Sequence, residues 1–249
     1  MRHNPRSDIR FFFTTQPLAC PYVDGLTEKR MVTELSGRDA VEISDRLSLS
    51  GFRRSHTVAY IPVCDNCNSC VSVRILAREF SYSRSHRKIK NRNRDINVSL
   101  NPPIATHEQF SLFKEYTKTR HGDGDMATMD YYDYQSLIED TPVRTNVVEF
   151  RNPEKQLIAC CIVDKIKGGI SAVYSFYSPD LDRLSLGTFI ILWLIEYAYN
   201  LGLDHVYLGY WVNGSRKMDY KKKFYPLEGY IDGRWLAIQP ETAEKQMII

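Results

Sequence analysis

The residues best suited to chemistry are cysteines. Cys64-x-x-Cys67-x-x-Cys70 sits in the turn-rich stretch Asp65-Asn66-Cys67-Asn68-Ser69, and Cys20 stands alone before Pro21-Tyr22. A loop at this spacing lets three thiols turn toward one point. Tetrahedral zinc or an iron–sulfur cluster asks for four sulfurs, and Cys20 is the candidate fourth. The competing reading is four free, partly buried thiols, since cysteine packs well as a small hydrophobe. Cys160 and Cys161 differ. They lie inside the apolar run Leu157–Val163 and alternate faces, which is the pattern of packing.

Two constellations suit a polyanion. From Trp211 to Pro226 aromatics interleave with five cations (Arg216, Lys217, Lys221, Lys222, Lys223), a composition that can stack on bases or a terminal adenosine while neutralising phosphates. A solvated basic loop has the same composition. Between Arg74 and Arg94 stand Arg74, Arg78, Arg84, Arg87, Lys88, Lys90, Arg92 and Arg94, with His86 among them and only Glu79 opposing. The net charge is only +3, so the clustering carries the signal. Such a field attracts phosphate backbones in a salt-dependent way.

The elements that position these residues belong to an ordinary globular chain. At 249 residues, 43% hydrophobic and 25% charged, it excludes disorder, collagen and coiled coil and can bury a sizeable core. The longest apolar run, Phe189–Ile195, is broken by Glu196, far short of the ~20 residues of a spanning helix. Residues 1–20 lack an apolar signal core. A cytoplasmic, reducing compartment is expected.

Ser36–Ser50 reads as a short amphipathic helix that Gly51 can end, and Val71, Val73, Ile75 and Ala77 as a half-buried strand. A cationic helix is expected from Arg84. Asn101-Pro102-Pro103 breaks the pattern, and Thr106 with Gln109 forms a capping-box signature. A boundary near 102 divides the chain into 1–101 and 102–249. Beyond it the order is helix (106–120), helix (130–139), strands (144–151, 157–165, 170–177), long helix (185–200), strand (205–210). The expected class is α+β or α/β: a cysteine-bearing α+β region followed by an acetyltransferase-like domain, a mixed sheet flanked by helices.

A series of stretches resembles the aminoacyl-tRNA–protein transferase family over almost the whole chain. They are Cys20-Pro21-Tyr22; Gly51-Phe52-Arg53-Arg54-Ser55 leading to Tyr60, Pro62 and Cys64; Phe80-x-x-Ser83-Arg84-Ser85-His86-Arg87; and His121-Gly122-Asp123-Gly124-Asp125-Met126. Val173-Tyr174-Ser175-Phe176-Tyr177, Ser185-Leu186-Gly187, and Tyr207-x-Gly209-Tyr210-Trp211 through Lys217-Met218-x-Tyr220-Lys221 follow in order. Two departures are His86 where the family has glutamine and Ser178 where it has aspartate. Length and the three-cysteine run favour the bacterial branch, which acts on N-terminal Asp and Glu and is expected to carry leucine, marking its targets for degradation; arginine as the transferred residue is the alternative.

The resemblance implies three tasks: holding the tRNA acceptor end, admitting an acidic N-terminus, and joining them. The ester on tRNA is already activated, so the chemistry itself needs no ATP or metal. An α-amine attacks the ester carbonyl, and the enzyme must orient the pair and stabilise the oxyanion. Asp164, ending an apolar strand, is the expected base, with Tyr174 and Ser175 as oxyanion donors; a structural ion pair is the bland alternative for Asp164. Arg53, Arg54 and Arg74 are the candidates for the acceptor's carboxylate. Arg84, Arg87, Lys88, Lys217, Tyr220 and Lys221 are those for tRNA. An acetyl-CoA transferase would carry Gln/Arg-x-x-Gly-x-Gly/Ala before its long helix, and Arg183-Leu184-Ser185-Leu186-Gly187-Thr188 lacks that spacing. A non-catalytic zinc-ribbon-like nucleic-acid module would leave the second half unexplained.

Overall fold

The computed structural model describes residues 10–120, 122, 124–212, 215 and 218–238. The first part builds β1 (Phe13–Thr14), β2 (Leu18–Ala19), β3 (Thr27–Glu28), β4 (Arg30–Glu34), α1 (Ala40–Leu49), β5 (Arg53–Ser55) and β6 (Val58–Pro62). Four of these strands form an antiparallel sheet in the order β1-β4-β6-β5, and β2–β3 is a separate hairpin that carries Cys20 just past β2. Helix α1 ends as its sequence suggests. Gly51 adopts φ +83°, its N–H and that of Phe52 return to the carbonyls of Ser48 and Leu47 (3.2 and 2.9 Å), and the chain turns directly into β5.

The remaining elements are β7 (Cys70–Leu76), α2 (Arg84–Arg92), β8 (Asn97–Asn101), α3 (His107–Arg120), α4 (Tyr131–Glu139), β9 (Thr145–Arg151), β10 (Leu157–Ile166), β11 (Gly169–Tyr177), α5 (Leu186–Asn200), β12 (His205–Val212), β13 (Leu227–Ile231) and β14 (Arg234–Ile238). Their strands make one eight-stranded mixed sheet, β14-β13-β7-β12-β11-β10-β9-β8, antiparallel everywhere except β11 with β12. Each helix and strand expected beyond residue 102 lies within about two residues of its expected bounds. Strands β7 and β8 precede Pro102 yet belong to this sheet, β7 between β12 and β13. The turn at Pro102–Pro103 therefore separates β8 from α3 within one continuous sheet.

Helices cover both faces of the sheet. Neighbouring side chains on a strand point to opposite sides. Cys161 packs with Phe189, Leu192, Ile195 and Trp211 on the α5 side, Cys160 with Phe113, Tyr134 and Phe176 on the α3–α4 side, and both are fully buried. The capping box before α3 forms as read: Gln109 N–H donates to Thr106 Oγ1 (3.2 Å) and Thr106 N–H to Gln109 Oε1 (3.1 Å). His86 fills the same role for α2, where Ser83 N–H donates to its Nδ1 (3.4 Å) and its own N–H donates to Ser83 Oγ (3.2 Å). Burial lowers the His86 pKa, which favours the neutral ring that can accept this bond. No described helix is long and apolar enough to cross a membrane.

Candidate functional site

The one parallel junction of the large sheet opens into a fork. Strands β11 and β12 pair only at Gly169 with His205, Ile170 with Val206 and Ser171 with Tyr207. Strand β11 then stays with β10 as far as Tyr177, while β12 stays with β7 as far as Val212. Past Ser171 the two strands follow different partners, leaving backbone groups free to meet something other than each other. A register shift between Tyr207 and Gly209, with Gly209 at φ +78°, marks where β12 turns away.

Strand β5 fills the crotch of the fork with Arg53. Its Nη1 donates to Ser171 Oγ (3.1 Å) and its Nη2 to the Ala172 carbonyl (2.5 Å), the next group past the last paired residue. The guanidinium lies over Gly209, where a Cβ would stand 3.4 Å from Nε. Arg53 is buried, yet no ion pair with a carboxylate forms on it among the described residues. A buried cation normally has such a partner.

The next residue explains how β5 is held. Arg54 donates from Nε and Nη2 to the two oxygens of Asp164 (2.6 and 2.9 Å), and Thr145 Oγ1 donates to Asp164 as well (2.7 Å). Arg54 Nη1 also donates to the His56 carbonyl (2.8 Å). Asp164 is 2% exposed and its oxygens are engaged by three donors, the buried ion pair that stood as the alternative to a general base, and this pair ties β5 to β10. The same pairing occupies Arg54, one of the three arginines considered for the acceptor's carboxylate. Arg74 is likewise committed. Its Nε donates to Glu228 (2.7 Å), its Nη1 to the Tyr207 hydroxyl (3.1 Å), and its guanidinium lies 4.3 Å from the Trp235 ring centroid. These partners come from β12, β13 and β14, two of which were not anticipated.

Two tyrosines, Tyr174 and Tyr177, stand on β11 beyond its last pair with β12. Tyr174 packs on Phe113 and Phe176, and its buried hydroxyl has no hydrogen-bond partner among the described residues. Burial pushes its pKa up to about 12, so it stays protonated and able to donate. Tyr116 packs on Tyr177 (4.9 Å between ring centroids), and Tyr174 and Tyr220 lie close enough to act on Tyr116 electrostatically. Ser175 is half-buried on the same strand.

Lys221 departs most from its expected place. The short 3-10 helix Asp219–Lys223 leaves Tyr220 42% exposed but turns Lys221 inward to 3% exposure, with Nζ donating to the Tyr210 carbonyl. Burial first, then the Arg53 charge, push its ammonium down to about 7; Cys70 acts the other way. Lys217 lies outside the described residues, as do His121 and Asp123 of the His121–Met126 motif.

Helix α2 presents the cationic surface. Arg84, Arg87 and Lys88 are exposed, and no carboxylate pairs with them among the described residues. A cleft of about 510 Å³ runs beside them, lined by Phe80, Ser81, Tyr82, Arg87, Lys90 and Asn91. Cys20, Cys64, Cys67 and Cys70 are half-buried and share a neighbourhood: after burial, the sulfurs of Cys64, Cys20 and Cys67 are the main causes that push the Cys70 thiol up to about 12. As they stand, no three His, Cys, Asp or Glu side chains among the described residues have the spacing of a closed metal shell. Cys64 Sγ instead lies 3.8 Å from the Lys29 carbonyl and Cys67 Sγ 3.4 Å from Ser69 Oγ. Four thiols are the donor type that zinc or an iron–sulfur cluster takes.

Comparison with known proteins decides the family. Residues 18–88 match the profile of the arginine-tRNA-protein transferase N terminus, and residues 108–231 that of its C terminus. The chain belongs to this family. Among its relatives, the aspartate/glutamate leucyltransferase of Paramagnetospirillum magneticum is 48% identical over 96% of this chain and 98% of its own length. Those of Granulibacter bethesdensis and Rhodospirillum rubrum are each 46% identical, over 95% of this chain and 89% and 97% of theirs. The solved structure of FemX is 10% identical, with a TM-score of 0.49 over 82% of this chain and 72% of that one. The two family profiles meet across the interval that holds Pro102, and the fork takes Arg53 from the first and β11, β12 and Lys221 from the second.

Proposed function

We propose that this chain transfers leucine from Leu-tRNA to the N-terminal Asp or Glu of acceptor proteins, at the fork between β11 and β12. The observation that carries this reading is Arg53. It is a buried guanidinium with no carboxylate partner among the described residues, at the point where the sheet opens, and an acidic side chain entering there supplies a counter-charge. Arg54 and Arg74 are already paired, which leaves Arg53 from the original three.

Leucine is favoured over arginine by charge and by kinship. Among the described residues, the buried charged side chains at the fork are Arg53 and Lys221, and Asp164 on β10 is bound to Arg54. An arginyl group there would meet like charge, whereas a leucyl group meets tyrosine and phenylalanine rings. The relatives' names point the same way. In the reaction the acceptor's neutral α-amine attacks the ester carbonyl, the new amide bond forms as the bond to the ribose oxygen breaks, and the amine's proton leaves with that hydroxyl. Tyr174, an unpaired hydroxyl donor, suits the developing oxyanion, with Ser175 beside it.

The meander β9–β10–β11, helix α5 and a parallel β12 that parts from β11 support an acetyltransferase-like architecture for the larger sheet. The exposed Arg84, Arg87 and Lys88 suit the tRNA backbone, and Tyr220 with Lys217 the acceptor end. Zinc or an iron–sulfur cluster on Cys20, Cys64, Cys67 and Cys70 would tie the β2–β3 hairpin to the loop before β7. A cytoplasmic setting, where charged tRNA is made, accords with this activity. The test mixes the protein with radiolabelled Leu-tRNA or Arg-tRNA and peptides beginning with Asp, Glu, Asn or Lys. Label is expected to pass from Leu-tRNA to the Asp and Glu peptides; transfer from Arg-tRNA only, or equal transfer to Asn, overturns the reading.

A further inference from the structure

We infer that Lys221 is the second cation of the receptor for the acceptor's side-chain carboxylate, acting with Arg53 at the fork, and that it is not a contact to tRNA. The inference rests on the transfer reaction proposed above and deepens it. Three observations carry it.

The first is burial. A lysine that holds a phosphate backbone works from the surface, where its head can follow a wet, mobile anion. Lys221 is 3% exposed, while its chain neighbours Tyr220 and Lys222 stay at the rim, Lys222 over the Trp211 ring and paired with Asp219. The second is its company. The groups that face Lys221 are Arg53 from β5, Cys70 from the start of β7, the Tyr210 carbonyl from β12 and the Tyr220 ring of its own turn. None of these, among the described residues, is a carboxylate. The third is contrast. Arg30, Arg54, Arg74 and Arg151 are paired with acids at 2.6 to 3.0 Å, and half-buried Arg10 stands 3.9 Å from Asp39. Arg53 and Lys221 are the two cations buried as whole residues among the described residues, and neither has a carboxylate partner among those residues.

Two neighbouring cations of this kind destabilise the free protein, since each loses hydration and each opposes the other. An entering Asp or Glu side chain removes both penalties, because one carboxylate offers enough lone pairs for a guanidinium and an ammonium. Asn or Gln fits the same space and restores no charge. Discrimination between acid and amide then comes from the pair.

The experiment uses the full chain and measures two quantities separately: kcat/KM for peptides beginning with Asp or Asn in leucine transfer, and Kd for Leu-tRNA by filter binding. Lys221→Met is expected to raise KM for the Asp peptide at least about 30-fold, to shrink the preference for Asp over Asn by a similar factor, and to leave the Leu-tRNA Kd within about twofold. Lys221→Arg, which keeps the charge, is expected to recover most of the KM. An unchanged KM in Lys221→Met, or a weakened Leu-tRNA Kd with KM intact, overturns the inference. Should the variants fail to fold, the wild-type chain still decides: in protein carrying 15N-lysine, the resonance of the buried Lys221 Nζ should shift on saturation with Asp-peptide and stay in place on addition of deacylated tRNA. The reverse pattern overturns it. A wild-type chain that moves no leucine would instead defeat the transfer reading itself.

Discussion

Replacing Lys221 by methionine should make the protein more stable near neutral pH, and the gain should vanish as the pH rises. Burial and the Arg53 charge bring the ammonium from its ordinary 10.5 down to about 7. A lowered lysine pKa means that between those values the unfolded chain holds a proton the folded chain has released, so wild-type stability rises with pH across that window. Below about pH 7 both states are protonated and the whole penalty is present. At about 1.4 kcal/mol per pH unit over this span, the penalty is about 5 kcal/mol. Methionine removes it but loses the bond to the Tyr210 carbonyl, worth about 1 kcal/mol, leaving a net gain of about 4 kcal/mol at pH 6 to 7. Urea unfolding of both proteins from pH 6 to 10.5 measures this directly. The difference in unfolding free energy should shrink steadily with pH above 7 and reverse sign by about 10.5. Parallel curves would refute the reasoning, because they would mean that Lys221 carries the same charge in the folded and unfolded states. The coupling of higher stability to poorer recognition of acidic acceptors is what a strained binding site predicts.

Three further outcomes follow from the site. Asp164→Asn breaks the buried pair with Arg54 and should cost about 3–5 kcal/mol, lowering Tm by about 6–20 °C in a chain of this size, while the transfer activity per folded molecule falls through KM as β5 loosens. Gly209→Ala adds a side chain at φ +78° and against Arg53; calorimetry should find a loss of about 1–2 kcal/mol, and peptide kinetics a raised KM for Asp with Leu-tRNA affinity kept. Neutralising Arg84, Arg87 and Lys88 together should flatten the slope of log K for tRNA against log salt by about 2–3, and an unchanged slope would take these residues out of the interface.

Much of this was legible in the residues themselves. Hydrophobic period, Gly51 and the Thr106–Gln109 box act over a few positions, so α1, α3, α5 and the strands β9 to β12 fall where local chemistry puts them. The hairpin β13–β14 also carried a local signal, Asp232-Gly233 between alternating residues, with both at positive φ. The motif order across the chain likewise identified the family without any coordinates. What the sequence could not settle was the choice among like residues. Arg53, Arg54 and Arg74 are one residue type, and only long-range packing shows that Asp164, 110 positions away, takes Arg54 and that Glu228, 154 away, takes Arg74. In Lys221-Lys222-Lys223 nothing local marks which ammonium turns inward. Sheet order decides both cases. The placement of β7 beside β12, and the parting of β12 from β11, depend on pairings between distant strands, and the charge left without a partner exists only once those pairings are made.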